Sequence, residues 1–194
     1  MFPSRLVSVL GGGVGLQNNY SLDFDGSNDV LQTSNSFESV FQDSFTISAW
    51  IKLDDGRIST HQAIFGTQKY DNYSGYTWLR VKADDGQMSF IHGTATAKEF
   101  TLNASTNPFA DGASEWTHIV ATLSKASATT GTITVYKNGT SIGTNSSPGA
   151  GWNLDNYANT NNAYIGASNV TGTATYFLAG NIDEVSIWDT ALDG

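Results

Sequence analysis

Apolar and polar residues alternate with a period of two through most of this 194-residue chain, and this pattern limits the folds it can adopt. In the segment 45–53 every second side chain is apolar: Phe45, Ile47, Ala49, Ile51 and Leu53. Successive side chains of a strand point to opposite faces, so the pattern predicts strands with one buried face. No helical period of useful length appears, and β-branched and aromatic residues fill the alternating segments. We therefore predict an all-β chain.

Clusters of Gly, Asn and Asp separate the predicted strands. Asn138-Gly139 lies between two alternating segments and predicts a hairpin with a type I′ turn, which needs positive φ at both central residues. About a dozen short strands with loops at both ends indicate two stacked antiparallel sheets, a jelly-roll sandwich.

The composition excludes several classes of partner. The chain has 9 basic and 18 acidic residues, a net charge of −9, so it repels phosphate backbones and we expect no nucleic-acid partner. It has no cysteine, which excludes disulfides and thiolate zinc sites. No apolar run approaches the roughly 18 residues that span a bilayer, and we expect no membrane partner.

Residues 1–18 differ from the rest of the chain and are predicted to form an extended N-terminal arm. A glycine run at 11–15 follows an apolar patch, and glycine has an entropic cost that a required bend or close approach explains. We expect the apolar side chains of the patch to anchor the protein to a partner: Phe2, Leu6, Val7, Val9 and Leu10. A secretory signal fits this N-terminus poorly. Residues 19–194 are predicted to form the sandwich domain.

Four segments in this order resemble the laminin G-like group of concanavalin A-like jelly rolls. They lie at 22–30 (LDFDGSNDV), 45–51 (FTISAWI), 116–122 (WTHIVAT) and 180–192 (GNIDEVSIWDTAL). The resemblance implies a two-sheet sandwich whose first and last strands pair. It also implies a role in adhesion, glycan recognition or assembly, which must be argued from the site because this fold has many functions.

Catalysis is not expected. Glycoside hydrolysis, which occurs on related sandwiches, needs two carboxylates roughly 5 to 10 Å apart. The chain lacks an acidic ladder on one strand, its four Glu residues are far apart in sequence, and no Gly-x-Ser-x-Gly elbow is present.

A calcium site is predicted from one carboxylate. Period two places Asp183 on the same strand face as Val185 and Ile187, and a buried charge needs a partner. The resemblance places the turn 25–29 beside the last strand, and oxygen ligands crowded in a turn suit one structural calcium ion. The expected ligands are Asp25, Asn28, Asp29 and Asp183. The alternative is a turn that is held by hydrogen bonds alone.

Two predicted loops carry aromatic and amide side chains that suit sugar rings and hydroxyl groups. The expected ligand-binding residues are Tyr70, Asn72, Tyr73, Trp152, Asn156 and Tyr157. The alternative is that the aromatic rings pack in the core of the sandwich.

The sequence therefore favours a lectin-like, non-enzymatic surface or decoration protein of a virion, such as a phage, that the arm anchors to other virion or assembly proteins. The alternative is a glycan-binding or adhesion module of a larger extracellular protein. Surface glycans are expected ligands under both interpretations, and homo-oligomerisation is left open.

Overall fold

The structure is a computed structural model that describes residues 20–57, 59–69, 75–95, 98–104 and 108–193. Within these ranges the helical elements are α1 (Glu38–Phe41) and a 3-10 turn (Leu154–Asn156). The strands are β1 (Leu22–Asp25), β2 (Leu31–Gln32), β3 (Phe45–Leu53), β4 (Gln62–Gly66), β5 (Gln68–Lys69), β6 (Tyr76–Val81), β7 (Met88–Ala95), β8 (Lys98–Asn103), β9 (Thr117–Ser127), β10 (Thr130–Lys137), β11 (Thr140–Asn145), β12 (Tyr164–Ile165), β13 (Ser168–Val170), β14 (Thr173–Thr175) and β15 (Ala179–Trp188).

Two six-stranded antiparallel sheets stack face to face. Sheet A has the strand order β1-β15-β3-β9-β10-β11, and sheet B has the order β2-β12-β4-β6-β7-β8. A small sheet C, with the order β14-β13-β5, contacts sheet B through β4 and β6. The predicted all-β, two-sheet sandwich is confirmed.

Two predicted pairings are present. The first strand, β1, pairs with the last, β15, from Leu22 opposite Ile182 to Asp25 opposite Ala179. The hairpin β10–β11 turns at Asn138 and Gly139, whose φ angles of 49° and 77° are both positive, as a type I′ turn requires.

The core lies between the inner faces of sheets A and B. Every second residue of β3 is fully buried, as the alternation predicts. Opposing side chains from sheet B close the core, among them Leu79, Val81, Phe90 and Phe100. Each such side chain contributes roughly 1.5 to 3 kcal/mol through burial before ordering costs.

The strand β15 departs from the period of two at one position. Glu184 has a φ of 49°, and the register with β3 shifts between Asp183 and Ser186. Such a β-bulge places an extra residue in one strand. As a result Ile182, before the bulge, and Ile187, after it, both pack against the core.

The bulge corrects one prediction. Val185 and Ile187 do pack against the core, but Asp183 does not share their face. Asp183 pairs with Trp50 on the outer side of sheet A, and its Oδ1 accepts the backbone N–H of Glu184 at 2.8 Å. A bulge cannot be read from alternation, because it consists of a break in the alternation.

A buried histidine connects sheet B to the segment around the 3-10 turn. His92 on β7 is 0% exposed, and its ring stacks on Tyr157 at 4.9 Å. The indole Nε1 of Trp152, which can only donate, donates to Nδ1 of His92 at 3.3 Å. The Nε2–H of His92 therefore donates to the carbonyl of Phe41 at 2.9 Å. Burial lowers the pKa of His92 to about 4.

The lowered pKa of His92 predicts a loss of stability in mild acid. In the unfolded chain this histidine is protonated below its ordinary pKa of 6.5, whereas in the folded chain it stays neutral down to about pH 4. Because the unfolded state binds the proton more tightly, the free energy of unfolding falls as the pH decreases through this window. We expect a loss of about 2 kcal/mol from this group between pH 7 and pH 5, measured by urea unfolding.

The variant His92→Gln should lose this part of the pH dependence, whereas His118→Gln, at the surface, should keep it. Because His92→Gln alters a buried hydrogen bond, an NMR titration of the wild-type imidazole gives an independent measurement. A His92 resonance that titrates near pH 6.5 would contradict the prediction.

Candidate functional site

Alternate residues of β6 form a polar and aromatic row on the outer face of sheet B. Leu79 and Val81 belong to the core, so Tyr76, Trp78 and Arg80 point the opposite way. The rings of Tyr76 and Trp78 are 5.1 Å apart, and the Trp78 indole donates to the carbonyl of residue 67 at 2.8 Å. The ring contact and the hydrogen bond fix the orientation of the row.

The hairpin β13–β14 covers part of this row. It turns at Thr171 and Gly172, both of which have positive φ, and it brings Val170 and Tyr176 onto the outer face of sheet B. The carbonyl of Tyr176 accepts a hydrogen bond from the N–H of residue 63 at 2.7 Å. The centre of the Tyr176 ring lies 6.0 Å from that of the Trp78 ring. The site therefore depends on residues that are nearly a hundred positions apart in sequence.

Arg80 lies between the two rings. Its Cζ is 5.4 Å from the centre of the Trp78 ring and 5.7 Å from that of Tyr176, within the range of cation–π attraction. Burial lowers the pKa of Arg80, but an arginine in a protein stays protonated. The cluster therefore holds a positive charge in an acidic chain.

Two polar atoms of this cluster lack partners. Among the described residues, the Nε of Arg80 and the Oγ of Ser89 are the buried side-chain atoms without a hydrogen bond. The two residues lie directly opposite each other on β6 and β7, and Ser89 is 0% exposed. A buried polar group without a partner costs about 1–3 kcal/mol. Because neither atom is accessible to solvent, a ligand at this surface meets only the part-exposed remainder of Arg80.

Arg80 is the cationic group of the cluster, and the carboxylate of Glu99 acts on it electrostatically. The Nδ1 of His61 accepts the N–H of Ala83 at 2.9 Å, and its ring contacts Tyr176 edge to face. Burial, then Arg80 and Lys82, lower the pKa of His61, so its imidazole is neutral at pH 7. The described part of the chain shows no ion pair to Arg80.

Three of the predicted ligand-binding residues lie in the described part of the chain. Trp152 and Tyr157 are buried in the core beside His92, so their prediction as sugar-binding surfaces is wrong and the alternative, core packing, is correct. Asn156 is exposed in the 3-10 turn. Tyr70, Asn72 and Tyr73 lie outside the described residues, as do the anchoring residues Phe2, Leu6, Val7, Val9 and Leu10.

The predicted calcium ligands are also divided. In the turn, Oδ1 of Asp25 accepts the N–H groups of Ser27 and Asn28 at 2.8 and 3.3 Å, and Oδ2 of Asp29 accepts the N–H of Asp25 at 3.0 Å. Asp183 lies beyond the other end of β1, about 13 Å along the strand by its register. The four residues do not form one site, and a calcium ion stays a prediction for the turn alone.

The described residues contain neither a cluster of metal ligands nor a membrane-spanning helix. No group of three or more His, Asp or Glu side chains there is placed to hold a metal ion. No helix in those ranges is long and apolar enough to cross a membrane.

A sequence profile described as the concanavalin A-like lectin/glucanases superfamily, of the laminin G type, matches residues 25–194. The chain belongs to this superfamily. No curated protein sequence matches it. The match confirms the resemblance inferred from the four sequence segments.

Solved structures of similar fold include carbohydrate-binding and other domains. The CBM40 module of the Ruminococcus gnavus IT-sialidase is 12% identical, with a TM-score of 0.64 over 89% of this chain and 91% of that one. A second structure of this module, with bound α2,3 sialyllactose, has a TM-score of 0.63 over 89% of this chain and 91% of that chain, at 12% identity. A pentraxin from Limulus polyphemus is 20% identical, with a TM-score of 0.57 over 88% of this chain and 76% of that one. At these levels of sequence identity the similarity shows a shared fold alone.

Sequence reasoning missed the cluster around Arg80, although a signal was present. Tyr76, Trp78 and Arg80 occupy alternate positions of one segment, so their common face follows from period two. The contribution of Tyr176 could not be predicted from the sequence, because it depends on where the hairpin β13–β14 packs against sheet B.

The calcium hypothesis for the turn makes a testable prediction. A ligand that binds only the folded state at a hundredfold excess over its Kd adds about 2.7 kcal/mol to stability. If the turn binds calcium, calcium chloride should raise the Tm relative to EDTA, Asp29→Asn should lose the increase, and Asp183→Asn should keep it. Equal Tm values in calcium and EDTA would show that hydrogen bonds alone hold the turn.

Proposed function

We propose that this chain is a non-catalytic, glycan-binding module whose site is the outer face of sheet B around Arg80. The observation that carries the proposal is the part-exposed side chain of Arg80, whose guanidinium carbon lies between the rings of Trp78 and Tyr176. Glycans present hydroxyl and carboxylate oxygens that can accept hydrogen bonds from a guanidinium group.

The charge of the site favours an acidic glycan. Arginine binds carboxylates through a fixed fork of N–H donors, and such charge-assisted bonds are stronger than neutral ones. A net charge of −9 repels anions elsewhere, so a local cation has to select them. The similar CBM40 module was solved with sialyllactose, whose sialic acid carries a carboxylate, and we propose the same class of ligand here.

The acidic groups at the site favour binding over hydrolysis. Glu99 accepts the phenolic O–H of Tyr76, and in the described part of the chain no other carboxylate is hydrogen-bonded to the cluster. Two carboxylates on either side of a glycosidic bond are the usual requirement for hydrolysis. A structure of the sialidase NanB of Streptococcus pneumoniae is 21% identical to this chain, with a TM-score of 0.59. The match covers 90% of this chain but 26% of NanB.

The test is isothermal titration with 3′-sialyllactose and with lactose, which lacks the sialic acid. We expect the wild type to prefer sialyllactose, and Arg80→Gln to bind it roughly 10- to 100-fold more weakly, because a hydrogen bond to a charged group contributes about 1.5–3 kcal/mol. The control Arg57→Gln removes an equal charge at an exposed position and should bind as the wild type does.

Circular dichroism and Tm establish that both variants are folded. If Arg80→Gln binds sialyllactose as tightly as Arg57→Gln does, the site is not at Arg80. If the wild type does not distinguish sialyllactose from lactose, the acidic glycan is wrong.

We also propose the finer role inferred from the sequence, a surface or decoration protein of a virion, with the extracellular adhesion module as the alternative. Support comes from the composition of residues 1–18, in which an apolar patch precedes a glycine run. This arm lies outside the described residues and outside the superfamily match.

Deletion of residues 1–15 tests the anchor. We expect a folded domain that keeps its Tm and its sialyllactose affinity but no longer incorporates into particles, since the apolar contacts are gone. Quantitative mass spectrometry of purified particles measures incorporation. Normal incorporation of the truncated protein would contradict the anchor.

A further inference from the structure

A second concave surface lies on the opposite side of the sandwich, on the outer face of sheet A. This groove has a volume of about 260 Å³ and crosses β15, β3, β9 and β10. Its lining residues are Ser48, His118, Val120, Tyr136, Gly139, Trp188, Leu192 and Asp193.

The register explains the shape of the groove. Ser186, Ser48, Val120 and Tyr136 form one row across the four strands. The three small residues make a shallow floor, and the ring of Tyr136 closes one end of the row. Side chains two positions away along each strand form the walls, about 7 Å from the floor row on either side.

Both walls are aromatic. Trp50 is stacked on His118, with ring centres 5.0 Å apart and an angle of 24° between the planes. The opposite wall is Trp188, which lies beside Thr46. Trp50 and Trp188 are 36% and 38% exposed, although burying such a ring would remove a large apolar area from water. Trp188 lines the groove, and Trp50 supports the lining residue His118. An exposed indole on a concave surface indicates a binding site.

The end of the described chain is fixed at the rim. The Oγ1 of Thr46 donates to the carbonyl of Thr190 at 2.8 Å and accepts the N–H of Leu192 at 2.9 Å. These bonds hold Leu192, and with it the neighbouring Asp193, at the groove. Because the rim is tied to β3, the groove is formed before any ligand arrives.

The rim is acidic. Asp193 lines the groove. Burial lowers the pKa of His118, and the negative charge of Glu184 opposes this shift. Carboxylates repel an acidic sugar but accept hydrogen bonds from the hydroxyl groups of a neutral one. This charge is the opposite of that at Arg80.

We propose that the groove binds one pyranose ring of a neutral glycan, with the C–H face of the sugar against Trp188 and its hydroxyl groups bonded to the acidic rim. The small volume fits one ring better than a protein surface, since a stable protein partner buries about 800 Å² on each side. The module then has two glycan sites, one on each sheet, and this second site does not depend on the proposed function of the first.

The experiment uses lactose as the probe, because its galactose ring has one face of C–H groups, and saturation-transfer NMR as the readout. We expect lactose to bind the wild type with transfer to the galactose protons, and Trp188→Ala to bind at least fivefold more weakly. Trp50→Ala, which removes the support of His118, should also weaken binding. The control Trp116→Ala removes an indole that is 39% exposed but does not line the groove.

Measuring each variant with both ligands distinguishes the two sites. Arg80→Gln should leave lactose binding unchanged, and Trp188→Ala should leave intact the extra affinity for sialyllactose over lactose. If lactose does not bind, or Trp188→Ala and Trp116→Ala bind it equally, the inference is wrong. A dimer in sedimentation experiments that Trp188→Ala dissociates would also overturn it, since the groove would then be an interface between two copies.

Discussion

Packing between the inner faces of the two sheets determines which side chains remain for binding. A strand has two faces, and in β3 the core takes every second residue, from Phe45 to Leu53. The other residues of that strand, including Trp50, must lie on the outer surface of sheet A. The same rule leaves Trp78 and Arg80 on the outer surface of sheet B. Neither proposed binding surface could exist without the alternation that builds the core.

The described core also contains polar side chains that are bonded to one another. His92 accepts a hydrogen bond from Trp152 and donates one to the carbonyl of Phe41, so the neutral ring is bonded on both sides. Thr67 and Thr77 both bond to the hydroxyl of Tyr157, whose pKa burial raises. The segment around the 3-10 turn is thereby joined to sheet B. The rings of Trp152 and Tyr157, which the sequence predicted as sugar-binding surfaces, are thus part of the core.

How much the sequence predicts depends on the range of the interactions involved. Period two and Asn138-Gly139 are local signals, and the sandwich, the inward face of β3 and the hairpin β10–β11 followed from them. The position of Asp183 depends on a bulge, and the burial of Trp152 depends on contacts with a strand sixty positions earlier. Composition identifies an aromatic residue but not which surface it meets, so the candidate site at Arg80 became apparent only in the structure.

The two outer faces differ in charge, and this difference bears on how an acidic module can bind glycans at all. The net charge of −9 repels an acidic sugar from most of the surface. Arg80, between the rings of Trp78 and Tyr176 and near the neutral His61, supplies a local positive charge, which the carboxylate of Glu99 partly offsets. On sheet A the acidic rim adds to the repulsion, and a neutral ring avoids it. Under the two proposals, electrostatics would therefore assign acidic and neutral sugars to opposite faces, and one module would hold a branched glycan that carries both only if its arms reach around the edge of the sandwich.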